Sequence, residues 1–397
     1  MSTAVMTNRL ELGSVAATAL KAATRFWFAV TVVGQLAFAF AISSFYGLTA
    51  WRGDYHKWNF SHGYVPGFSM GNTAVVMHLV TAAIIMLAGA IQLVPQVRSR
   101  FPVFHRWTGR VYMLSAVALS AAGLYMTWFR GSVGDASQHL GSTLNAVLIW
   151  AFAALALRSA MARDFRTHRR WALRLFLTVS ASWFLRIGLF LSFLVFKGPF
   201  GFDPVSFTGP FLTFMTFAQF LIPLTILEIY FRAQDHPGSM QKMATAGLLF
   251  VVTLAMGAGL FAVAMAVWVP QVKAGYDPRT SISETLAATT ASSGVDQAVK
   301  QYYELKAAQP TTYNFDEEEL NNLGYKLIRN KQFASAIRIF QLNIEAYPKS
   351  SNAYDSLAEG YMDNGDKALA IANYRRALQI NPKNRNSELM LRKISVQ

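Results

Sequence analysis

The sequence predicts an all-α protein in two parts: a polytopic helical membrane bundle of about seven spans, followed by a soluble α-helical repeat domain. Three observations carry this prediction. Only 14% of the residues are charged and 53% are hydrophobic, with mean hydropathy +0.28, whereas soluble proteins carry about 25% charged residues. Seven apolar runs reach the roughly 20 residues that a membrane-crossing helix needs. From residue 316 onward the charge density rises and related residues return every 34 positions.

The apolar runs lie at about 25–50, 73–95, 107–129, 139–160, 172–196, 208–231 and 244–270. The first begins too far from the start, and runs too long, for a cleaved signal peptide. Lysine and arginine set the orientation. They are dense before the first run (Arg9, Lys21, Arg25), between the second and third (Arg98, Arg100, Arg106), and between the fourth and fifth (Arg158 to Arg174). The alternate loops hold only Arg52 and Lys57, then Arg130, then Lys197. This alternation predicts a cytoplasmic segment at 1–24, seven membrane helices within 25–270, and a C-terminal part on the outer side. In a bacterium with two membranes that means the inner membrane, with the repeat domain in the periplasm.

Residues 271–315 are polar, with TSISETLAATTASSG at 280–294, and read as a linker with one helix, VDQAVKQYYELKAA. In 316–397, Leu320, Leu323, Gly324, Ala336, Phe340 and Pro348 return as Tyr354, Leu357, Ala358, Ala370, Tyr374 and Pro382. Small residues at 324/358 and 336/370 let two antiparallel helices approach, large residues fill the gap, and each proline ends a second helix. This is the pattern of tetratricopeptide repeats. RNSELMLRKI (385–394) reads as the cap over the last apolar face. Two repeats and a cap form a small core, so the VDQAVKQYYEL helix is expected to pack against them. Residues 295–395 resemble helical-repeat modules at the ends of various bacterial hydrolases and membrane proteins. That resemblance implies an interaction module whose partner is a protein or peptide.

The chain has no cysteine. This excludes disulfides, thiolate metal sites, iron–sulfur clusters and covalently attached haem. A net charge of +15 would suggest nucleic acid in a soluble protein. Here the basic residues cluster in short loops between apolar runs, so membrane topology accounts for them and the bilayer is the expected partner. No Walker motif, HExxH or GxSxG occurs.

Four of the seven histidines stand where membrane helices begin. Their surroundings repeat: His78-Leu79 and His139-Leu140, then His105-Arg106-Trp107 and His168-Arg169-Arg170-Trp171. Spans two–three and four–five therefore read as two copies of one hairpin, and sites tend to form where such repeats meet. Two histidines on facing helices are what a b-type haem requires, one imidazole on each side of the iron. His78 with His139 would ligate an outer haem and His105 with His168 an inner one, with Arg106, Arg110, Arg170 and Arg174 near the inner propionates. The order of the ligands resembles that of the two-haem transmembrane cytochromes reducible by ascorbate. The competing reading makes the histidines, arginines and tryptophans ordinary interfacial anchors.

Arg186 lies more than a turn from either end of its run. A charge at that depth costs roughly 2.5 kcal/mol or more and usually finds an interior partner. A haem propionate, a substrate carboxylate or a quinone oxygen would serve; the alternative is snorkelling to the headgroups. Glu228 has Arg232 one turn later, which predicts a surface pair. The aromatic loop at 51–72, with His56 and His62, is long enough to lie over the bundle as a lid, or forms an interfacial loop.

The stretch HLVTAAIIMLAGAIQLVPQVRSRFPVFHRWTGRVYMLSAVALSAAGLYM (78–126), with THRRWALR at 167–174, resembles an uncharacterised bacterial membrane-protein family, the domain of unknown function 2306, over about residues 70–195. The family implies a membrane domain and brings no site residues. Three functional readings follow: electron transfer through bound haem, a membrane scaffold or sensor that recruits a partner through its repeats, and a small-molecule transporter. The last lacks the paired mid-span glycine or proline that breaks transporter helices.

Overall fold

A computed structural model describes residues 3–53, 58, 69–131, 134–203 and 206–395. Most of the loop at 51–72, including His56 and His62, lies outside these residues. The chain divides into two compact units, Met1–Tyr276 and Asp277–Gln397.

The first unit contains α1 (Thr3–Ile42), α2 (Leu48–Arg52), α3 (Ser69–Leu93), α4 (Pro95–Arg100), α5 (Pro102–Tyr125), α6 (Ala136–Met161), α7 (Phe165–Val179), α8 (Ala181–Phe196), α9 (Pro210–Asp235), α10 (Ser239–Val263) and α11 (Val269–Tyr276). Six helical segments among the described residues are long and apolar enough to cross a membrane, and the bent pair α7–α8 makes a seventh. The protein is a membrane protein built as a helical bundle. In the six unbroken spans only a minority of the apolar stretch is buried against protein, apart from the first, where half is; the apolar remainder is the surface that hydrocarbon covers.

Helices α1 and α10 run parallel. Phe26 meets Phe250 at 5.7 Å between ring centroids, Gly34 faces Leu260, and Phe38 meets Trp268 at 5.2 Å. Parallel first and last spans require an odd number of crossings. The chain therefore leaves α11 on the side opposite the start of α1, the far side below. Glycine makes this contact close: a Cβ on Gly34 would come within 2.9 Å of Leu260 of α10 and within 2.6 Å of the Trp183 ring of α8. Gly259 similarly lets α10 press on the Ile187 carbonyl of α8.

The fifth span departs from expectation. It was expected to run unbroken over 172–196, and it bends by 52° at Ser180. No glycine or proline causes the bend. Thr178 Oγ1 turns back to the Arg174 and Leu175 carbonyls at 3.0 Å each, and such back-bonding bends helices. The Ser180 hydroxyl accepts from Gln35 Nε2 at 3.0 Å, which ties the bend to α1. Among the described residues three π-helical turns, Ser43–Gly47, Met126–Gly131 and Ala264–Trp268, extend α1, α5 and α10, all at the far side. Such turns are frequent at functional sites.

The second unit holds β1 (Thr280–Ser281), α12 (Ile282–Ser293), α13 (Val295–Ala308), β2 (Tyr313–Asn314), α14 (Glu317–Arg329), α15 (Phe333–Ala346), α16 (Ser351–Asn364), α17 (Lys367–Ile380) and α18 (Arg385–Ser395). The reading of 271–315 as a linker with one helix is corrected. Residues 271–276 end α11, and 282–308 form a helix pair closed by a short parallel ladder between β1 and β2. Ile282 and Leu286 of α12 and Ala298, Val299 and Tyr302 of α13 share one core with Leu320, Leu323, Ala336, Ile339 and Phe340. The pair is stacked as a further repeat whose polar composition hides its helices from the 34-residue pattern. At the other end Met390, Leu391 and Ile394 of α18 cover Tyr374 and Ala358.

Candidate functional site

His105 and His168 occupy the first turns of α5 and α7. Pro102 opens α5, where its missing N–H costs nothing. Asp164 caps α7, accepting from Thr167 N at 3.0 Å. The two imidazoles lie within electrostatic reach of each other. His168 Nδ1 stands 2.8 Å from the Ala156 carbonyl of α6. If that nitrogen carries the proton, Nε2 keeps its lone pair for a ligand. His105 Nδ1 is buried and makes no hydrogen bond. Gln92 of α3 fixes the backbone here, donating to the His105 carbonyl at 3.1 Å and to Thr108.

The four arginines expected around this pair are engaged otherwise. Arg170 bonds Asp235 at 2.5 Å, and Arg166 bonds the same carboxylate at 3.1 Å. Arg174 bonds Glu228 at 2.6 Å, which corrects the expected Glu228–Arg232 pair. Arg170 and Arg174 also lie over the Phe231 ring of α9, at 4.9 and 5.3 Å. Arg106 and Arg110 are exposed, and Arg110 stacks over Trp107 at 4.9 Å. The first two arginines clamp α7 to α9, and the second two lie on the exposed face of α5.

In the far half, His78 of α3 lies beside the Leu119 backbone of α5 and within electrostatic reach of Arg186. Its Nδ1 is buried and unbonded. His139, in the first turn of α6, meets the Trp128 ring edge-on at 5.6 Å. His105 thus has His168 as an electrostatic neighbour, and His78 has Arg186. Arg186 of α8 donates to the Ser182 carbonyl at 2.8 Å, lies 5.3 Å over the Phe38 ring, and has Tyr46 as an electrostatic neighbour. Sequence reading missed Tyr46. It stands in a π-helical turn, and nothing in SSFYG signals that turn.

The second unit carries its own polar cluster. Asp355, Glu359 and Asp363 recur every fourth residue along one face of α16. Asp355 accepts from Asn386 at 2.8 Å and from Ser387, and Glu359 accepts from Tyr325 at 2.6 Å and Asn386 at 2.7 Å. Among the described residues no cation pairs with either. Tyr374 is fully buried, its hydroxyl has no hydrogen-bond partner, and the three carboxylates are its electrostatic neighbours. Burial holds the Glu359 carboxyl above its ordinary value of 4.5, reinforced by Asp355 and Asp363, and burial raises Asp363 too. A raised carboxylate binds more protons folded than unfolded, so its cost is absent near pH 4.5 and grows as pH rises through the folded value. Glu359→Gln is therefore expected to raise the thermal midpoint of this unit at pH 7. The gain should shrink toward pH 4.5 in melts of the purified chain, and a gain independent of pH would contradict the assignment.

Among the described residues no cluster of three or more His, Asp or Glu side chains is arranged to hold a bare metal ion; two imidazoles meeting a haem iron from opposite sides form a different kind of site. Comparison with known families matches residues 75–232 to the family described as "Predicted membrane protein (DUF2306)" and residues 351–384 to the tetratricopeptide repeat. No curated protein and no solved structure matches the chain. The matched regions contain all four helix-opening histidines and the acidic face of α16. Residues 75–232 thus resemble the DUF2306 family of predicted membrane proteins, and the C-terminal part carries a tetratricopeptide repeat.

Proposed function

We propose that the membrane domain is a b-type haem protein that passes electrons across the bilayer. The observation that supports this reading is the placement of His105 and His168 in the first turns of α5 and α7, with His168 Nδ1 held 2.8 Å from the Ala156 carbonyl so that its other nitrogen is left for a ligand. Haem, when bound, supplies one-electron redox chemistry. The chain's own part is to present imidazole nitrogens from the first turns of two helices, to fix the His168 ring through its other nitrogen, and to hold α7 in place through the Arg170–Asp235 and Arg174–Glu228 pairs. The repeated hairpin extends the reading to a second haem at His78 and His139. Lysine and arginine placement supports an inner membrane with the N-terminus in the cytoplasm, and the parallel α1 and α10 support a repeat domain on the opposite, periplasmic side. The reading is tested by the visible spectrum of the detergent-purified protein, expressed with ample haem and reduced with dithionite. Sharp b-type bands are expected, and a folded protein without them would overturn it.

The tetratricopeptide repeat favours a second role, recruitment of a protein partner. The uncompensated carboxylates of α16 favour a partner segment rich in lysine or arginine. A labelled lysine-rich peptide should bind the full chain, measured by fluorescence anisotropy. The Asp363→Asn and Glu359→Gln variants should each weaken it, and equal binding of an acidic peptide of the same length would sink this reading.

A further inference from the structure

Helices α1 and α10 part toward the near side, where α1 starts. At Gly34 they press together, and at Phe26 and Phe250 they still meet ring to ring at 5.7 Å. Nearer the start of α1 they leave an open groove of about 480 Å³. Small residues line it, Ala22 and Ala23 on α1 and Ala246 and Gly247 on α10, and the Phe26–Phe250 pair closes its deep end. A Cβ on Gly247 would meet nothing within 4 Å. Past Ala19 the hollow continues along α1, where the hydroxyl-bearing Ser14 and Thr18 line it.

Length and charge say what fits there. Both helices are long and apolar enough to cross a membrane. Ser14 and Phe26 are twelve residues apart, about 18 Å at 1.5 Å per residue. That is slightly more than half of the roughly 30 Å hydrocarbon core, the reach of one leaflet. Lys21 and Arg25 are exposed on α1 between and beside the lining residues, and Lys242 precedes Met243, which lines the groove on α10. Among the described residues no carboxylate pairs with any of the three. The hollow is thus apolar at its deep end, with hydroxyls and unpaired cations toward the near side.

We propose that the groove between α1 and α10 binds an anionic phospholipid of the near leaflet. One acyl chain lies over Ala22, Ala23, Ala246 and Gly247 and ends against the Phe26–Phe250 pair. The headgroup sits in the field of Lys21, Arg25 and Lys242. Small side chains open the space for the chain, and basic residues at the membrane surface attract anionic lipid. The inference stands on the groove and its cations and does not depend on the haem reading.

The test strips lipid from the full chain in detergent, then adds phosphatidylglycerol or phosphatidylcholine with the same acyl chains and reads the adducts by native mass spectrometry. Phosphatidylglycerol should be retained in preference. Gly247→Leu places a branched side chain in open space, so the fold should survive. It should weaken retention about tenfold or more, the scale of two displaced methylene contacts. Ala22→Leu fills the same groove from the facing helix and stands in if Gly247→Leu fails to fold. Arg25→Gln with Lys242→Gln should lower the preference for the anionic lipid, about fivefold for each cation. If both lipids bind alike, or if the folded, groove-filling variant retains phosphatidylglycerol as the wild type does, the inference is overturned. A dimer that Gly247→Leu dissolves, with no lipid retained, would overturn it too, because the occupant would then be a second copy of the chain.

Discussion

His168→Ala is expected to remove about half of the b-type absorbance from the purified protein while leaving the bundle folded. His168 is only partly buried, and its helix is held by the Asp164 cap and by the ion pairs of Arg170 and Arg174 with α9. Truncation therefore removes a ligand with little loss of packing. The Ala156 carbonyl gives up one bond from His168 but remains inside α6, where the backbone amide one turn on is its partner. His105→Ala should have the same spectral effect, and the double variant no more than either single one, because both remove the same site. His236→Ala, an exposed histidine beyond α9, is the control and should change nothing. Full absorbance in the His168 variant would exclude that residue as a ligand.

Phe340→Ala is expected to destabilise the second unit by about 3–5 kcal/mol, the usual cost of emptying an aromatic site in a core. Phe340 is fully buried. Its ring meets Tyr325 edge-on at 5.3 Å and packs against the backbones of Gly324 in α14 and Gly360 in α16. Three helices converge on this ring, and the small residues at 324 and 360 exist to admit it, so little can collapse into the space it leaves. The thermal midpoint of the unit should fall by more than about 10 °C. Trypsin should then cut residues 279–393 far faster in the full chain. A change under about 1 kcal/mol would mean that the repeats do not pack around this ring.

Much of this architecture is legible in the sequence because membrane spans and helical repeats are written as composition and period. Six apolar segments and the 34-residue pattern appear where hydropathy and small–large alternation place them. What escapes reading depends on contacts between segments distant in sequence. The bend at Ser180 arises from hydroxyls that back-bond and from Gln35 on another helix, and SAS by itself does not announce a break. The pair α12–α13 is polar enough to pass for a linker, because its core contacts are few: Ile282, Leu286, Ala298, Val299 and Tyr302. Helix-opening histidines are visible as a repeated word, but their partners are not. The sequence suggests four arginines around one pair, whereas Asp235 and Glu228, some 55–65 residues from the arginines they engage, claim two of them. Arg186 was conspicuous from hydropathy alone. Its hydrogen bond to the Ser182 carbonyl one turn back is set by the fold and not by hydropathy.

The most direct measurement is the haem content of the purified, full-length protein, as pyridine haemochrome against protein concentration. Two haem b per chain are expected, one for each pair of helix-opening histidines. A well-folded protein that contains none after expression with ample haem would contradict electron transfer as the role of the membrane domain.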